Sequence, residues 1–348
     1  MSPDLELSPL SLNLYPFRIN QNPALLTFAI LFYRWHNVLA ARLHLQHPTW
    51  TDEDLFQSAR RLNIATLQNI IAYEYLPAFL GEPLAPYSGY KSFTHPGISH
   101  EFQSAAFRFG HTLIPPGMYR VDGECNHLQA ADGSPAIRLC ATWWDAQNTV
   151  QGGVLEELLR GMASQIAEQE DATLCSDIRN KLFGPLDFSR RDLAALNIMR
   201  GRDSGLPDYN TVRKYYQLPR VDNWSDINPQ LYRKDRQLFD KLAEVYGGQR
   251  GMSNIDLYIG GMLESSDGPG PLFRQIIKDQ FERIRDADRF WFENTDNEIF
   301  SPEEIQSIKN TTLWDVIVNA TSIQPDQIQK KVCFDGIFGK SLIQPVTL

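Results

Sequence analysis

The stretch FRFGHTLIPPG, residues 107–117, sets one histidine, His111, between an arginine–aromatic run and a proline pair. Upstream, Ser99 and Glu101 mark a helix start, and Pro115, Pro116 and Gly117 mark a stop, so the pattern predicts a helix over 99–113. On that helix Phe102, Ala105, Ala106, Phe109 and Leu113 form one apolar stripe at i, i+3/i+4 spacing. At about 100° per residue, His111 points roughly opposite Phe109, on a face shared with Ser104, Phe107, Arg108 and Ile114. The helix is then apolar on two sides, and its histidine looks into whatever lies on the second. Gly110, directly before it, permits close approach of another group. Two readings stay open here: a core histidine satisfied by a hydrogen bond, or a ligand to a metal or haem.

The rest of the chain narrows the setting. Its 348 residues, 43% hydrophobic and 22% charged, are ordinary for a soluble globular protein and leave room for one to three domains. With 33 basic against 42 acidic residues, a net charge of −9 and no basic block, nucleic-acid binding is not expected. The longest apolar run, ALLTFAILFY over 24–33, is about half of what a bilayer span needs, so a buried helix and no transmembrane segment are expected. The opening MSPDLELSPLSLNLYPF is acidic and broken by prolines, with no signal-peptide pattern. Glycosylation sequons at Asn223, Asn310 and Asn319 point instead to the secretory pathway. Cys125, Cys140, Cys175 and Cys333 lack zinc-binding spacing. A Cys125–Cys140 loop and free buried thiols both fit.

Helical periodicity recurs along the chain. Residues 23–45 read as one helix with proline in its first turn. Over 51–81, Thr51 is the expected N-cap, with acids in the first turn. Leu55, Ala59, Leu62 and Ala65 form one apolar face there, and Ile64, Leu67 and Ile71 a second, so that helix is expected to be buried all round until Pro77 and Gly81 end it. Short β-like pieces and turns occupy 118–148. Helices resume at 155–169, 190–199, 209–216, 234–246, 271–284 and 302–309. The fold class is thus mainly α, a helical domain with long irregular connections and few short strands. Such connections usually wrap something.

A second segment bears on His111. LNIMRGRDSGLPDYN, residues 196–210, sets Asn197 and Arg200 three apart on one helical face. An amide beside an axial histidine can accept its Nδ1–H and fix the tautomer, and an arginine one turn on can neutralise a carboxylate. A capped helix end with solvated arginines is the plain alternative.

LFYRWHNVLAARL (31–43), FRFGHTLIPPG (107–117), LNIMRGRDSGLPDYN (196–210), NIDLYIGGMLE (254–264) and RDADRFWFEN (285–294) occur in that order. Together they resemble the C-terminal two-thirds of the animal haem peroxidase domain, over roughly residues 15–325. The wording SGYKSFTHPGISHEF, PPGMYR, WSDINP and LESSDGPGPLF is most similar to the dual-oxidase branch. The resemblance implies three parts: a tail over 1–14, a peroxidase-like domain over 15–330, and a tail over 331–348. It implies haem b, with His111 as the proximal iron ligand, Asn197 as the amide hydrogen-bonded to it, and Arg200 as a propionate partner. Arg18, in FRINQNP, falls where the family keeps its distal catalytic arginine. His36 and RDADRFWFEN are structural by the same pattern. The implied activity is reduction of H2O2 with oxidation of a small phenolic or halide donor. The implied location is the extracellular or lumenal face of the plasma membrane, beside an oxidase partner or within a full-length dual oxidase.

The sequence departs from the family in three ways. Where several members esterify haem through a glutamate three after the distal arginine, this chain has Gln21, followed by Asn22 where one adds a methionine bond. Haem is therefore expected to be held without covalent links. No Q-x-x-x-H-D motif supplies the family's distal histidine and calcium-binding aspartate, so the calcium site expected of the family is not recognisable. EF-hand loops are missing too. Without the distal histidine, turnover is expected to be impaired, because general acid–base catalysis typically contributes about 10²–10⁴-fold. A non-catalytic interaction or dimerisation module, or a truncated gene product, is the alternative.

Overall fold

The structure, a computed structural model, describes residues 21–143, 153–169 and 171–332. Helix α1, Pro23–Gln46, starts where the Asn22 carboxamide accepts the Leu25 N–H at 3.0 Å and Pro23 occupies the first turn. That cap is the use the fold makes of Asn22. Leu26, Ile30, Leu31, Trp35, Leu39 and Leu43 line one helical face and are buried, whereas Leu25, Phe28 and Tyr33 are exposed. By length and composition the whole helix could cross a membrane, which the ten-residue apolar run alone does not reveal. Its polar groups are nonetheless tied to the body: Arg34 pairs with Glu156 at 2.8 Å, and Arg42 donates to the Asn319 carboxamide at 2.5 Å.

Helix α2, Asp52–Ile70, begins as its sequence predicts. Thr51 accepts from the Asp54 N–H and the Asp54 carboxylate accepts from the Thr51 N–H, a reciprocal cap. Only one of its two apolar faces is covered, however. Ala59 is buried against α1 and Ala65 in the larger core, while Ile64 and Leu67 are 47% and 39% exposed, so the expected burial all round does not occur. Pro77 does not end the helix either. The chain widens into a π-helical turn, Ile71–Tyr75, and restarts as α3, Leu76–Leu80, with Pro77 in a first turn that needs no N–H donor.

The expected helix over 99–113 is two elements. Ser99 caps α4, His100–Ser104, and Ala105 then turns out of helical geometry at φ −137°. A 3₁₀ segment, Ala106–Leu113, follows. Phe102, Ala105, Ala106 and Phe109 are all buried, so the stripe is real, but three residues per turn replace 3.6 beyond the break. Four two-residue strands come next. Gly117–Met118 (β1) pairs antiparallel with Ile137–Arg138 (β4), and Arg120–Val121 (β2) with His127–Leu128 (β3).

The remaining helices are α5 Val154–Ser164, α6 Ser176–Arg179, α7 Leu193–Asp203, α8 Tyr209–Tyr215, α9 Trp224–Ile227, α10 Pro229–Lys234, α11 Arg236–Val245, α12 Leu257–Glu264, α13 Pro271–Ala287, α14 Pro302–Asn310 and α15 Leu313–Ala320. Periodicity missed α6, α9, α10, α12 and α15. In α12 the apolar residues run almost unbroken around Gly260 and Gly261, so no one-sided helical stripe marks it. Both glycines are contact points. A Cβ on Gly260 would lie 2.3 Å from the Tyr209 ring, and one on Gly261 2.2 Å from that of Phe273, so α8 and α13 close directly onto the α12 backbone. Two apolar cores result. The larger gathers α3, α4, the 3₁₀ segment, α8, α12 and α13, and the smaller joins α1, α2, α5 and α15.

The RDADRFWFEN segment is structural: Arg285 pairs with Asp286 at 2.8 Å, Glu293 with Lys309 at 2.7 Å, and Trp291 packs edge-on to Tyr73. Among the described residues Cys125, Cys140 and Cys175 are free thiols, so the Cys125–Cys140 loop is not closed. Cys333 lies outside the described residues.

Candidate active site

The break at Ala105 and the 3₁₀ segment after it set the direction of His111. Phe109 is fully buried between Phe79 and Phe273, and Thr112 is pinned by its hydroxyl donating to the Phe109 carbonyl at 3.0 Å. With both neighbours anchored inward, His111 is left half-buried, at the edge of the larger core. Burial, and then the charge of Arg108, lower its pKa from 6.5 to about 4. At neutral pH the ring is an uncharged imidazole, the form that binds metals. No protein group among the described residues hydrogen-bonds its Nε2.

Helix α7 supplies the other wall. Asp192 caps it by accepting the Ala195 N–H at 3.0 Å, which fixes where the first turn starts. One turn on, Asn197 is fully buried, and its carboxamide nitrogen lies 3.2 Å from His111 Nδ1, across 86 positions of sequence. Its carboxamide oxygen accepts from Arg108 Nη1 at 2.8 Å. Arg108 in turn donates through Nε to the Gln103 carbonyl at 2.9 Å. The sequence reading put Arg108 on the histidine's face but assigned it nothing. The signal was its position, three residues before His111 in a 3₁₀ segment, where i and i+3 eclipse.

Arg200, one turn beyond Asn197, is exposed. Its charge is felt by Arg108, whose pKa is lowered first by burial and then by Arg200. Arg108, beside the neutral imidazole, thus feels a second cation, and no carboxylate is bonded to either arginine among the described residues. Tyr258 on α12 is the second residue the sequence reading missed. Its hydroxyl is buried beside Asn197 without hydrogen-bond geometry to any group, and burial raises its pKa. Arg18 lies outside the described residues. Gln21 is half-buried just before α1, and His36 is half-buried with its ring 5.1 Å from that of Phe56.

The donor set suits one kind of group. Among the described residues no three histidine, cysteine or carboxylate side chains cluster as a bare-metal site would need. A single neutral imidazole with two guanidinium groups that have no carboxylate partner matches instead a flat apolar disc with a metal at its centre and carboxylates at its rim. A Cβ on Gly110, beside the histidine, would meet nothing within 4 Å.

A mainly helical body that brings a neutral histidine, a buried carboxamide and an arginine without a carboxylate partner together has the features of a haem-peroxidase fold. The chain belongs to the animal haem peroxidase family, whose profile matches residues 14–333. Its relatives include a dual oxidase of Drosophila melanogaster, 59% identical over 331 residues, covering 95% of this chain and 21% of that protein. Dual oxidase 1 of Caenorhabditis elegans is 48% identical over 323 residues, covering 91% and 21%, and dual oxidase 2 of Homo sapiens 44% over 328 residues, covering 92% and 21%. The chain thus spans about a fifth of these relatives. Among solved structures, peroxidase A from Dictyostelium discoideum superposes with a TM-score of 0.77 at 33% identity, covering 91% of this chain and 61% of that one. An Oryza sativa fatty acid alpha-dioxygenase shares the fold at a TM-score of 0.66 and 22% identity, covering 84% and 54%.

Proposed function

We propose that residues 15–330 form a haem-binding peroxidase domain of dual-oxidase type that reduces H2O2 and oxidises a small phenolic or halide donor. The observation that carries this reading is the Asn197 carboxamide 3.2 Å from His111 Nδ1, beside the Arg108–Arg200 pair. When bound, haem b supplies an iron centre that accepts electrons from the donor and passes them to peroxide.

The chain's own residues bind and orient. His111 offers its ring nitrogen to the metal, and the pKa of about 4 keeps it unprotonated through neutral and mildly acidic pH. Arg108 and Arg200, neither paired with a carboxylate among the described residues, would hold the carboxylates of the bound group. Arg18 is proposed as the group on the far side that polarises peroxide and stabilises negative charge on the departing oxygen. A carboxamide is a poor ester partner, so Gln21 is proposed to leave the haem noncovalent. With no distal histidine in these 348 residues, peroxide deprotonation falls to water or a weaker base, and turnover by this chain alone is lower by about 10²–10⁴-fold than with a positioned base.

A lumenal or extracellular setting goes with this reading. Asn223, Asn310 and Asn319 are all exposed, as glycan acceptors must be. The test is steady-state turnover of H2O2 with a phenolic donor by haemin-loaded full chain, set against His111→Ala and free haemin. Turnover above free haemin that His111→Ala abolishes supports the proposal. Haem binding without turnover above free haemin favours the non-catalytic module.

A further inference from the structure

Asn197 cannot serve a metal-bound His111 in the orientation it has. A guanidinium has donors only, so the Asn197 atom 2.8 Å from Arg108 Nη1 is the carboxamide oxygen. That turns the NH2 group toward His111 Nδ1 at 3.2 Å. An NH2 group only donates, so Nδ1 accepts and the neutral ring carries its proton on Nε2. An Nε2–H has no lone pair for a metal. The arrangement that binds metal needs the reverse, with Nδ1–H donating and Nε2 free.

Two neighbours make the reverse arrangement reachable. Arg108 is held by only two neutral acceptors, Asn197 and the Gln103 carbonyl, and is repelled by the nearby Arg200 charge, so an anion competes well for it. Beside the same carboxamide stands Tyr258, 3% exposed, whose hydroxyl feels Asn197 without meeting any group in full hydrogen-bond geometry, and a hydroxyl can donate to the oxygen or accept from the NH2 group as the carboxamide turns. Resting on the reading of His111 as the haem ligand, we propose that Arg108 is a positioning residue that latches Asn197. Bound to it, Arg108 keeps His111 in the Nε2–H form. When the carboxylate of an incoming metalloporphyrin takes Arg108, Asn197 turns over and accepts from Nδ1. The proton leaves Nε2 for solvent and another arrives at Nδ1, so ring charge is unchanged and the Nε2 lone pair faces the metal. Carboxylate recognition and metal ligation are thereby one event.

The test is ¹⁵N NMR of the histidine rings in the full 348-residue chain without porphyrin at neutral pH, with the His111 signals assigned by His111→Gln. The wild type is expected to show protonated Nε2 and bare Nδ1. Arg108→Met, which frees the carboxamide, and Asn197→Asp, which can only accept, are both expected to move the proton to Nδ1. A wild type already protonated at Nδ1, or an Arg108→Met variant that keeps Nε2–H, overturns the latch. In a second arm, diamagnetic gallium(III) protoporphyrin is compared with its dimethyl ester, which lacks free carboxylates. The ester is expected to bind wild type at least about tenfold more weakly, the worth of one charge-assisted hydrogen bond, and to recover most of that loss on Arg108→Met. Equal binding of both porphyrins to wild type refutes the latch and leaves the ligand reading standing. Binding of neither to any variant removes the ligand reading, and the proposal with it.

Discussion

Replacing His111 by glutamine should change the acid stability of the chain in a calculable way. The folded ring has a pKa of about 4 against 6.5 in the unfolded chain, because burial and then the Arg108 charge disfavour the imidazolium. Above pH 6.5 neither state holds the extra proton and the residue contributes nothing to pH dependence. Below 6.5 the unfolded chain takes the proton first, so stability falls by about 1.4 kcal/mol per pH unit until the folded ring also protonates near pH 4. The full loss is about 3 kcal/mol, and at about pH 4.5 most of it is already present. The glutamine side chain keeps a polar group toward Asn197 and cannot titrate. Urea unfolding of both proteins at a series of pH values from about 7.5 down to about 4.5 isolates the effect, since carboxylates and His36 cancel in the difference. Wild type should lose about 2–3 kcal/mol more than His111→Gln between about pH 7.5 and 4.5. Parallel curves would refute the reasoning, because they would mean the folded ring protonates as easily as the unfolded one.

Other perturbations test the scaffold around the site. Glu264→Ala removes the partner of buried Arg213, the acceptor of the Tyr209 hydroxyl and that of the Leu272 N–H, and should cost about 3–5 kcal/mol in chemical denaturation. Gly260→Ala drives a methyl into the Tyr209 ring, which its hydroxyl contacts hold in place, and should cost about 1–3 kcal/mol or more. Gly110→Ala meets open space and should change stability by less than about 0.5 kcal/mol, with its effect confined to haemin affinity. Thr51→Ala removes the reciprocal cap on α2 and should lower stability by about 1 kcal/mol without touching haemin binding.

Local signals with a single physical cause were legible in the sequence. Thr51 with Asp54 three residues on, Pro23 in a first turn, and the Phe102–Phe109 stripe each depend on neighbours in the chain, and each has its counterpart in the fold. Signals that depend on what packs opposite were not. Ile64 and Leu67 keep helical spacing yet face outward, because α1 and α14 cover only the other side of α2. Gly260 and Gly261 carry no sign in the sequence of the Tyr209 and Phe273 rings that close onto them. At the candidate site, the family pattern named His111, Asn197 and Arg200, and the fold brings Asn197 to His111 while Arg200 acts on Arg108 by charge. What no spacing reveals is that Arg108 holds the Asn197 oxygen. That contact follows from the 3₁₀ register after Ala105, which a helical wheel does not reproduce.

The central claim is that His111 is an iron ligand, and the Soret band tests it most directly. Haemin titrated into the full chain should saturate at one equivalent and give a histidine-ligated spectrum. His111→Ala should revert to that of unligated haemin and regain the band when free imidazole is added. Identical spectra for wild type and His111→Ala would contradict the claim.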